Sequence, residues 1–349
     1  MKTNFNVRRI LPLNAITLVL LLAACSAQEE EISAVSPAAD SPPPPQFVLE
    51  NVSGNVYRAG LGGGGGHTTV LMVTSAGIIL ADPIREDFAQ WLKAELLERF
   101  NSEVEYVIYS HHHPDHASGG QVFADTATFV GHENMATNLT KIPSNSAPMD
   151  TNGNGVIELS EAAGGTLASF DRVDTNQDGV LEAAEINVTI RPLDLTYQDQ
   201  LTISLGNSRV EVHHSPPAHS DDMSVILFPE DRVVFAVDFL QINRLPGGLT
   251  GFLSGYPVSD YEAAISTVTA LEFDTIVQGH SELVGTKADV EEFANLLRAT
   301  EAGVASAIAA GQDLEQTLES VMLPEYSDWL LYEVRREALV ADMYRFQTQ

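Results

Sequence analysis

Six consecutive residues, His111-His112-His113-Pro114-Asp115-His116, constrain this chain more than any other stretch. They follow the apolar run Val104 to Tyr109, which predicts a strand, and precede the small residues Ala117, Ser118, Gly119 and Gly120, which predict a tight turn. Such a turn projects His111, His113, Asp115 and His116 toward one point. Imidazoles and a carboxylate buried together need a cation between them, and this donor set suits zinc. A solvated histidine tract would explain the imidazoles but neither Asp115 nor the strand in front. The fold must therefore end a buried strand at a metal site.

The rest of the chain supplies a layered α/β body. Short β-rich runs at Asn55 to Arg58, Thr68 to Thr74 and Gly77 to Ala81 precede a helical stretch, Arg85 to Phe100. In that stretch Phe88, Trp91, Leu92, Leu96 and Phe100 are spaced for one buried face. Further strands are predicted at Thr126 to Val130, Leu201 to Leu205, Arg209 to His213, Met223 to Phe228, Arg232 to Val237 and Thr275 to Val277. A helix is expected near Asp260 to Leu271, and the part from Lys287 onward reads as mostly helical. Strands and helices mixed in this way predict layers rather than a repeat array. The stretch 138–187 breaks the pattern.

Residues 1–24 read as a targeting segment: Lys2, Arg8 and Arg9, then an apolar run from Ala15 to Leu22, then small residues. The run Leu22-Ala23-Ala24-Cys25 resembles a bacterial lipobox, which implies cleavage before Cys25 and a lipid anchor on its thiol. The apolar run is shorter than the about 20 residues that span a bilayer. The expected location is the cell envelope, at an outer membrane. Residues 25–46, with Pro42 to Pro45, read as an extended tether, and 47–349 as the catalytic domain. Cys25 is the only cysteine, so the domain forms no internal disulfide. The formal charge of -30 repels phosphate backbones and excludes a nucleic acid as partner. The expected partners are a small-molecule substrate and, through Cys25, a membrane.

The cluster resembles the metal motif of the metallo-β-lactamase superfamily, and later residues match that family in order. His219 lies in Pro217-Ala218-His219-Ser220-Asp221-Asp222, Asp238 closes the apolar run Val234-Phe235-Ala236-Val237, and His280 follows Gly279. The resemblance covers roughly Val48 to the C-terminal helices, apart from 138–187. It implies an αββα sandwich with the site at one edge of its two sheets. It further implies that His111, His113 and His219 hold one zinc, that Asp115, His116 and His280 hold another, and that Asp238 bridges them. A hydroxide shared between two zinc ions is nucleophilic near neutral pH, so no side-chain nucleophile is needed. Asp82 matches a position that braces the histidine loop, while its place before Pro83 also suits a turn or a helix N-cap. His113 stands where the di-iron branch has Glu, which favours zinc over iron, although iron is compatible with the donors.

His67 follows the glycines Gly62 to Gly66 in a first hairpin loop that, in this family, overhangs the site. His67 and Asp115 are the candidate catalytic side chains, His67 as a substrate contact. His112 should point away from the ligands by alternation, and His213 and His214 end a strand at the cleft or at the surface. Within 138–187 two loops fit the EF-hand pattern: Asp150, Asn152, Asn154, Gly155 and Glu161, then Asp174, Asn176, Asp178, Gly179 and Glu185. Val156 and Val180 would ligate through their carbonyls, giving two Ca²⁺ sites in a small α-helical insert, with at most a short helix between the loops. The leading expectation is a dinuclear hydrolase of an ester, thioester, lactone or amide bond. The alternatives are a cysteine-free β-lactamase, an iron-dependent sulfur dioxygenase and a non-enzymatic calcium-binding envelope lipoprotein.

Overall fold

The computed structural model describes residues 46–61, 66–142, 146–187, 189–246, 256–281 and 283–348. The segment up to residue 45, with Cys25 and most of the tether, and residues 62–65 of the glycine run lie outside the described residues. The first half contains β1 (Phe47–Ser53), β2 (Val56–Leu61), β3 (Thr68–Thr74), β4 (Gly77–Ala81), α1 (Glu86–Phe100), β5 (Val104–Ile108), α2 (Pro114–Ala117), β6 (Thr128–His132) and α3 (Glu133–Asn138). Next come β7 (Ile157–Glu158), α4 (Gly164–Val173), β8 (Val180–Leu181), α5 (Ala183–Ile186) and β9 (Leu195–Tyr197). The second half contains β10 (Gln200–Leu205), β11 (Ser208–His214), β12 (Ser224–Phe228), β13 (Val233–Ala236), α6 (Val258–Thr269), β14 (Thr275–Gln278) and β15 (Val284–Gly285). It ends in α7 (Lys287–Ala309), α8 (Leu314–Ser320) and α9 (Tyr332–Thr348).

One sheet runs β1-β2-β3-β4-β5-β6-β9 and the other β10-β11-β12-β13-β14-β15. Their central strands are apolar on both faces, and the twofold alternation of side chains decides which core each residue enters. In β4, Ile79 and Ala81 join β13 residues Val233 and Phe235 between the sheets, while Ile78 and Leu80 turn outward onto Phe88, Leu92 and Leu96 of α1. In β13 and β12, Val234, Ala236, Val225 and Leu227 turn the other way, onto Tyr261 and Ile265 of α6 and Phe293 and Leu297 of α7. The layers are therefore helix, sheet, sheet, helix, as the family resemblance implies. Among the described residues no helix is long and apolar enough to cross a membrane.

The pairs β4–β5, β5–β6 and β13–β14 are parallel, so these strands finish on the same side of their sheets. Asp82 follows β4, His111 follows β5, Asp238 follows β13 and His280 follows β14. Open α/β sheets bind ligands beyond their strand carboxyl ends, and the polar residues here gather in that place. Asp82 is not a helix cap: the N-cap of α1 is Arg85, three residues on, and the Asp82 carboxylate accepts from Ser110 and faces His116.

The stretch between β6 and β9 holds its own small core of Ile157, Ala162, Phe170 and Leu181. The helix between its two loops, α4, is ten residues long despite beginning at a glycine pair. Because Phe235 is fully buried between the sheets in the strand that presents Asp238, Phe235→Ala should cost about 3–5 kcal/mol. Chemical denaturation should show this as a lower midpoint with little change in slope.

Candidate metal centre

The histidine loop takes its shape from its neighbours. After β5 the chain passes through Ser110, whose N–H and hydroxyl both donate to Asp82, at 2.7 and 2.6 Å. His113 then sits just before α2, with Pro114 in the first helical turn where a missing N–H costs nothing. Asp115 and His116 follow within that turn. The result is a buried floor of His111 and His116, each fully buried, with His113 nearly so, and a more open rim of Asp115. Asp82 Oδ2 lies 3.2 Å from His116 Nδ1, on the side of the ring away from the cluster, while Nε2 faces the site.

The second sheet brings the remaining residues to the same place. Asp238 leaves β13 with φ of 67°, a left-handed conformation that Asp tolerates better than most residues and that turns its carboxylate off the strand. Its Oδ2 lies 3.5 Å from His111 Nε2, 3.2 Å from His116 Nε2 and 3.4 Å from His219 Nε2. Its Oδ1 lies 2.9 Å from His280 Nε2. Gly279 permits this approach, since a Cβ there would stand 2.5 Å from Val237 Cγ1 and 3.0 Å from His116 Cε1.

His219 Nε2 and His113 Nδ1 are 3.0 Å apart, as are His116 Nε2 and His280 Nε2. Two nitrogens on one zinc, at about 2.0–2.1 Å each in a tetrahedron, would stand roughly 3.3 Å apart, so these spacings fit shared ions. The donor atoms of His111, His113, His219 and Asp238 lie within 4.8 Å of one another, and so do those of His116, Asp238 and His280. Asp115 Oδ2 stands 3.5 Å from His280 Nε2 and 3.7 Å from His116 Nε2. The buried Nε2 of His111 has no hydrogen-bond partner among the described residues. A cation is what such an atom needs.

Burial, reinforced by neighbouring imidazoles, pushes His111 well below its usual range and His113 down to about 3, so both present lone pairs. Burial alone would raise the Asp238 carboxyl, yet His116 and His280 hold it well below the usual carboxylate range. Burial would lower His116, but the Asp238 charge lifts it well above the ordinary value. A preformed acidic and basic cluster of this kind is poised to exchange protons for metal.

All seven expected ligands meet here, and His67 joins them, with Nε2 3.1 Å from Asp115 Oδ2. His112 turns away, as alternation predicts, and its N–H and Nδ1 lie 3.0 and 3.1 Å from the buried Asp222 carboxylate. Ser220 also donates to Asp222, so one carboxylate ties the loop bearing His219 to the loop bearing His111 and His113. Sequence reasoning missed Asp222; the only signal was the acidic pair that follows His219. It also missed Arg244, whose guanidinium donates to the carbonyl of His280. His214 stacks on His132 with ring centroids 3.8 Å apart, and His213 faces Glu211, so neither joins the cluster.

The two acidic loops of the insert repeat one hydrogen-bond pattern. Asp150 accepts from the N–H groups of Asn154 and Gly155 and Asn154 from Val156, while Glu161 accepts from Thr151, Asn152 and Glu158. Asp174, Asp178 and Glu185 do the same for Asp178, Gly179, Val180, Thr175, Asn176 and Glu182. Gly155 and Gly179 have φ of 85° and 86°, and Ile157 pairs with Leu181 across β7 and β8. Asn187 closes the base of the insert by donating to the carbonyls of Leu139 and Lys141.

Removing the Asp222 charge leaves His112 without its anchor, so Asp222→Asn should weaken divalent-metal binding about 10–100-fold. Competition with a chromophoric chelator measures this, and an unchanged affinity would show that Asp222 is not a scaffold for the site.

Comparison with known proteins agrees with the fold and the donor set. The model of the family described as the metallo-beta-lactamase superfamily (Lactamase_B) matches residues 62–280. The linear primary-alkylsulfatase of Pseudomonas sp. is 25% identical over 235 residues, which are 64% of this chain and 43% of that protein. The chain thus spans less than half the length of that curated relative. Among solved structures, a metallo-beta-lactamase from Pontibacter korlensis has TM-score 0.52 at 14% identity, covering 72% of this chain and 99% of that one. Metallo-beta-lactamase IND-7 has TM-score 0.51 at 17% identity, covering 72% and 98%. These two show likeness of fold alone. With the family match spanning well over half of the sequence and a His/Asp cluster at the expected edge of the sandwich, the chain belongs to the metallo-beta-lactamase superfamily of metal-dependent hydrolases.

Proposed function

We propose that this protein is a dinuclear zinc hydrolase acting on an ester, thioester, lactone or amide bond. The observation that carries the reading is the Asp238 carboxylate, which reaches nitrogens of both histidine groups at once. His111, His113 and His219 would hold one ion and Asp115, His116 and His280 the other, with Asp238 between them. Bound zinc would supply the activated water and the Lewis acidity for bond cleavage. The chain's own residues set the conditions for that chemistry. Asp82 stands against His116 Nδ1 on the side away from the cluster, and Asp222 with Ser220 joins the loop of His219 to the loop of His111 and His113. The half-exposed Asp115 and His280 mark the side from which substrate enters.

A second reading, hydrolysis of a sulfate ester, is favoured by the likeness to an alkylsulfatase. The test is elemental analysis of the purified chain together with a panel of acyl esters, thioesters, lactones, nitrocefin and primary alkyl sulfates. Two zinc ions per chain and turnover in the acyl group support the first reading, while turnover of alkyl sulfates alone supports the second. Nitrocefin turnover alone would make the protein a cysteine-free β-lactamase, and one iron in place of zinc would point to a sulfur dioxygenase. Asp238→Asn removes the shared charge and should lower turnover about a hundredfold or more, since metal polarisation is worth several kcal/mol.

The reading extends to the insert, where Asp150, Asn152, Asn154, the carbonyl of Val156 and Glu161 would bind one Ca²⁺, and Asp174, Asn176, Asp178, the carbonyl of Val180 and Glu185 a second. Support comes from the repeated loop geometry and the strand pairing that joins the two loops. The basic, apolar and small residues leading to Cys25 support an envelope location for this chemistry. Calorimetric titration of the chain with calcium should give two ions, falling to one in Glu185→Gln. Retention of both would contradict the ligand assignment.

A further inference from the structure

The cluster includes one side chain that the seven-ligand set leaves without a role. Thr68, at the start of β3, donates its N–H to the carbonyl of Gly279 at 2.8 Å and its hydroxyl to the carbonyl of Ser281 at 2.9 Å. Those two acceptors bracket His280. One residue earlier, the carbonyl of His67 accepts from the N–H of Leu61 at 3.1 Å, closing the base of the hairpin. A Cβ at Gly66 would stand 2.7 Å from the carbonyl oxygen of Leu61, so this closure requires glycine. His67 is thus held in register with His280, although it borders a glycine run.

Its ring lies 4.5 Å from that of His280, centroid to centroid, and 5.6 Å from that of His116. The nearest donor atoms of His67, Asp115 and His280 lie within 4.8 Å of one another. An ionised carboxylate can only accept, so the contact between His67 Nε2 and Asp115 puts a hydrogen on Nε2. His111 and His116 are fully buried, whereas His67, Asp115 and His280 are all partly exposed. An N–H donor, paired with the Asp115 carboxylate, therefore stands on the open side of the Asp115–His280 half of the site. A molecule reaching the cluster from solvent meets this donor first.

We propose that His67 is a catalytic residue that shares its Nε2–H between Asp115 and the leaving-group oxygen as the bond of that oxygen to the acyl carbon breaks. Resting on the hydrolase reading, this assigns the step in which water's oxygen joins the acyl carbon and the carbon–oxygen bond of the ester breaks. The electron pair stays on the departing oxygen, which leaves as an alcohol after taking one of the protons of water. His67 is unchanged at the end. Its contribution is a donor placed where negative charge develops, and it weighs most for leaving groups that bear that charge poorly.

The experiment compares the unaltered chain with His67→Ala and His67→Gln on acetate esters ranging from p-nitrophenol to primary alcohols, with zinc content measured on each preparation. His67→Ala should lose about tenfold to a hundredfold on the primary alkyl acetates and much less on p-nitrophenyl acetate. His67→Gln, which keeps an N–H donor, should recover part of the loss, and zinc content should match that of the unaltered chain. Equal losses on both kinds of ester, or losses that follow zinc content, would overturn the assignment while leaving the hydrolase reading in place. Absence of turnover of every acetate ester by the unaltered chain would overturn the assignment alone, and absence of turnover across the whole acyl panel would overturn the hydrolase reading as well.

Discussion

The Asp238 carboxylate is the contact on which this site depends. It is buried and negatively charged, and it stands within 3.5 Å of imidazole nitrogens from four separate chain positions. A buried charge is tolerable only when paired, and five imidazoles packed against one another are tolerable only when a cation or protons separate their lone pairs. The fold satisfies both demands at one place. It does so because two sheets, packed on a shared core of Val70, Ile79, Phe235 and Val277, end their strands at the same edge.

Around that contact lies a set of supports outside the seven-residue donor set. Asp82 with Ser110 fixes the loop of the first sheet, and Asp222 with Ser220 and His112 joins it to the loop of the second. Arg244 and Thr68 hold the backbone on which His280 rides. Ligands fixed in this way lose little freedom when an ion arrives, and outer contacts of this type account for much of the affinity of metal sites. Apart from the local bond of Ser220 to Asp222, each support joins residues far apart in the chain. The site is thus a product of the tertiary fold rather than of the histidine motif by itself.

Much of this was legible in the residues. The strand before His111, β3, β4, and the order His219, Asp238, His280 could all be read, because apolar alternation and a metal motif both leave local marks. β1 and β9 could not. β1 alternates weakly, with its outward residues exposed, and β9 is three residues that become a strand only by pairing with β6. Asp82 was legible as a brace through resemblance, yet its local context suggested a cap equally well, and only the distance to Ser110 separates the two. Asp222 and Arg244 were invisible for a different reason. A buried charge whose partner lies in another loop looks, in one dimension, like any surface residue. His67 was legible as a residue near the site but not in its registration, which comes from Thr68 bonding on either side of His280.

The most direct test of the central claim is a crystal structure of the zinc-loaded protein with anomalous scattering recorded on both sides of the zinc edge. Two zinc peaks flanking Asp238 are expected, one against His111, His113 and His219 and the other against Asp115, His116 and His280. A single peak, or peaks away from Asp238, would contradict a two-ion site built around that carboxylate.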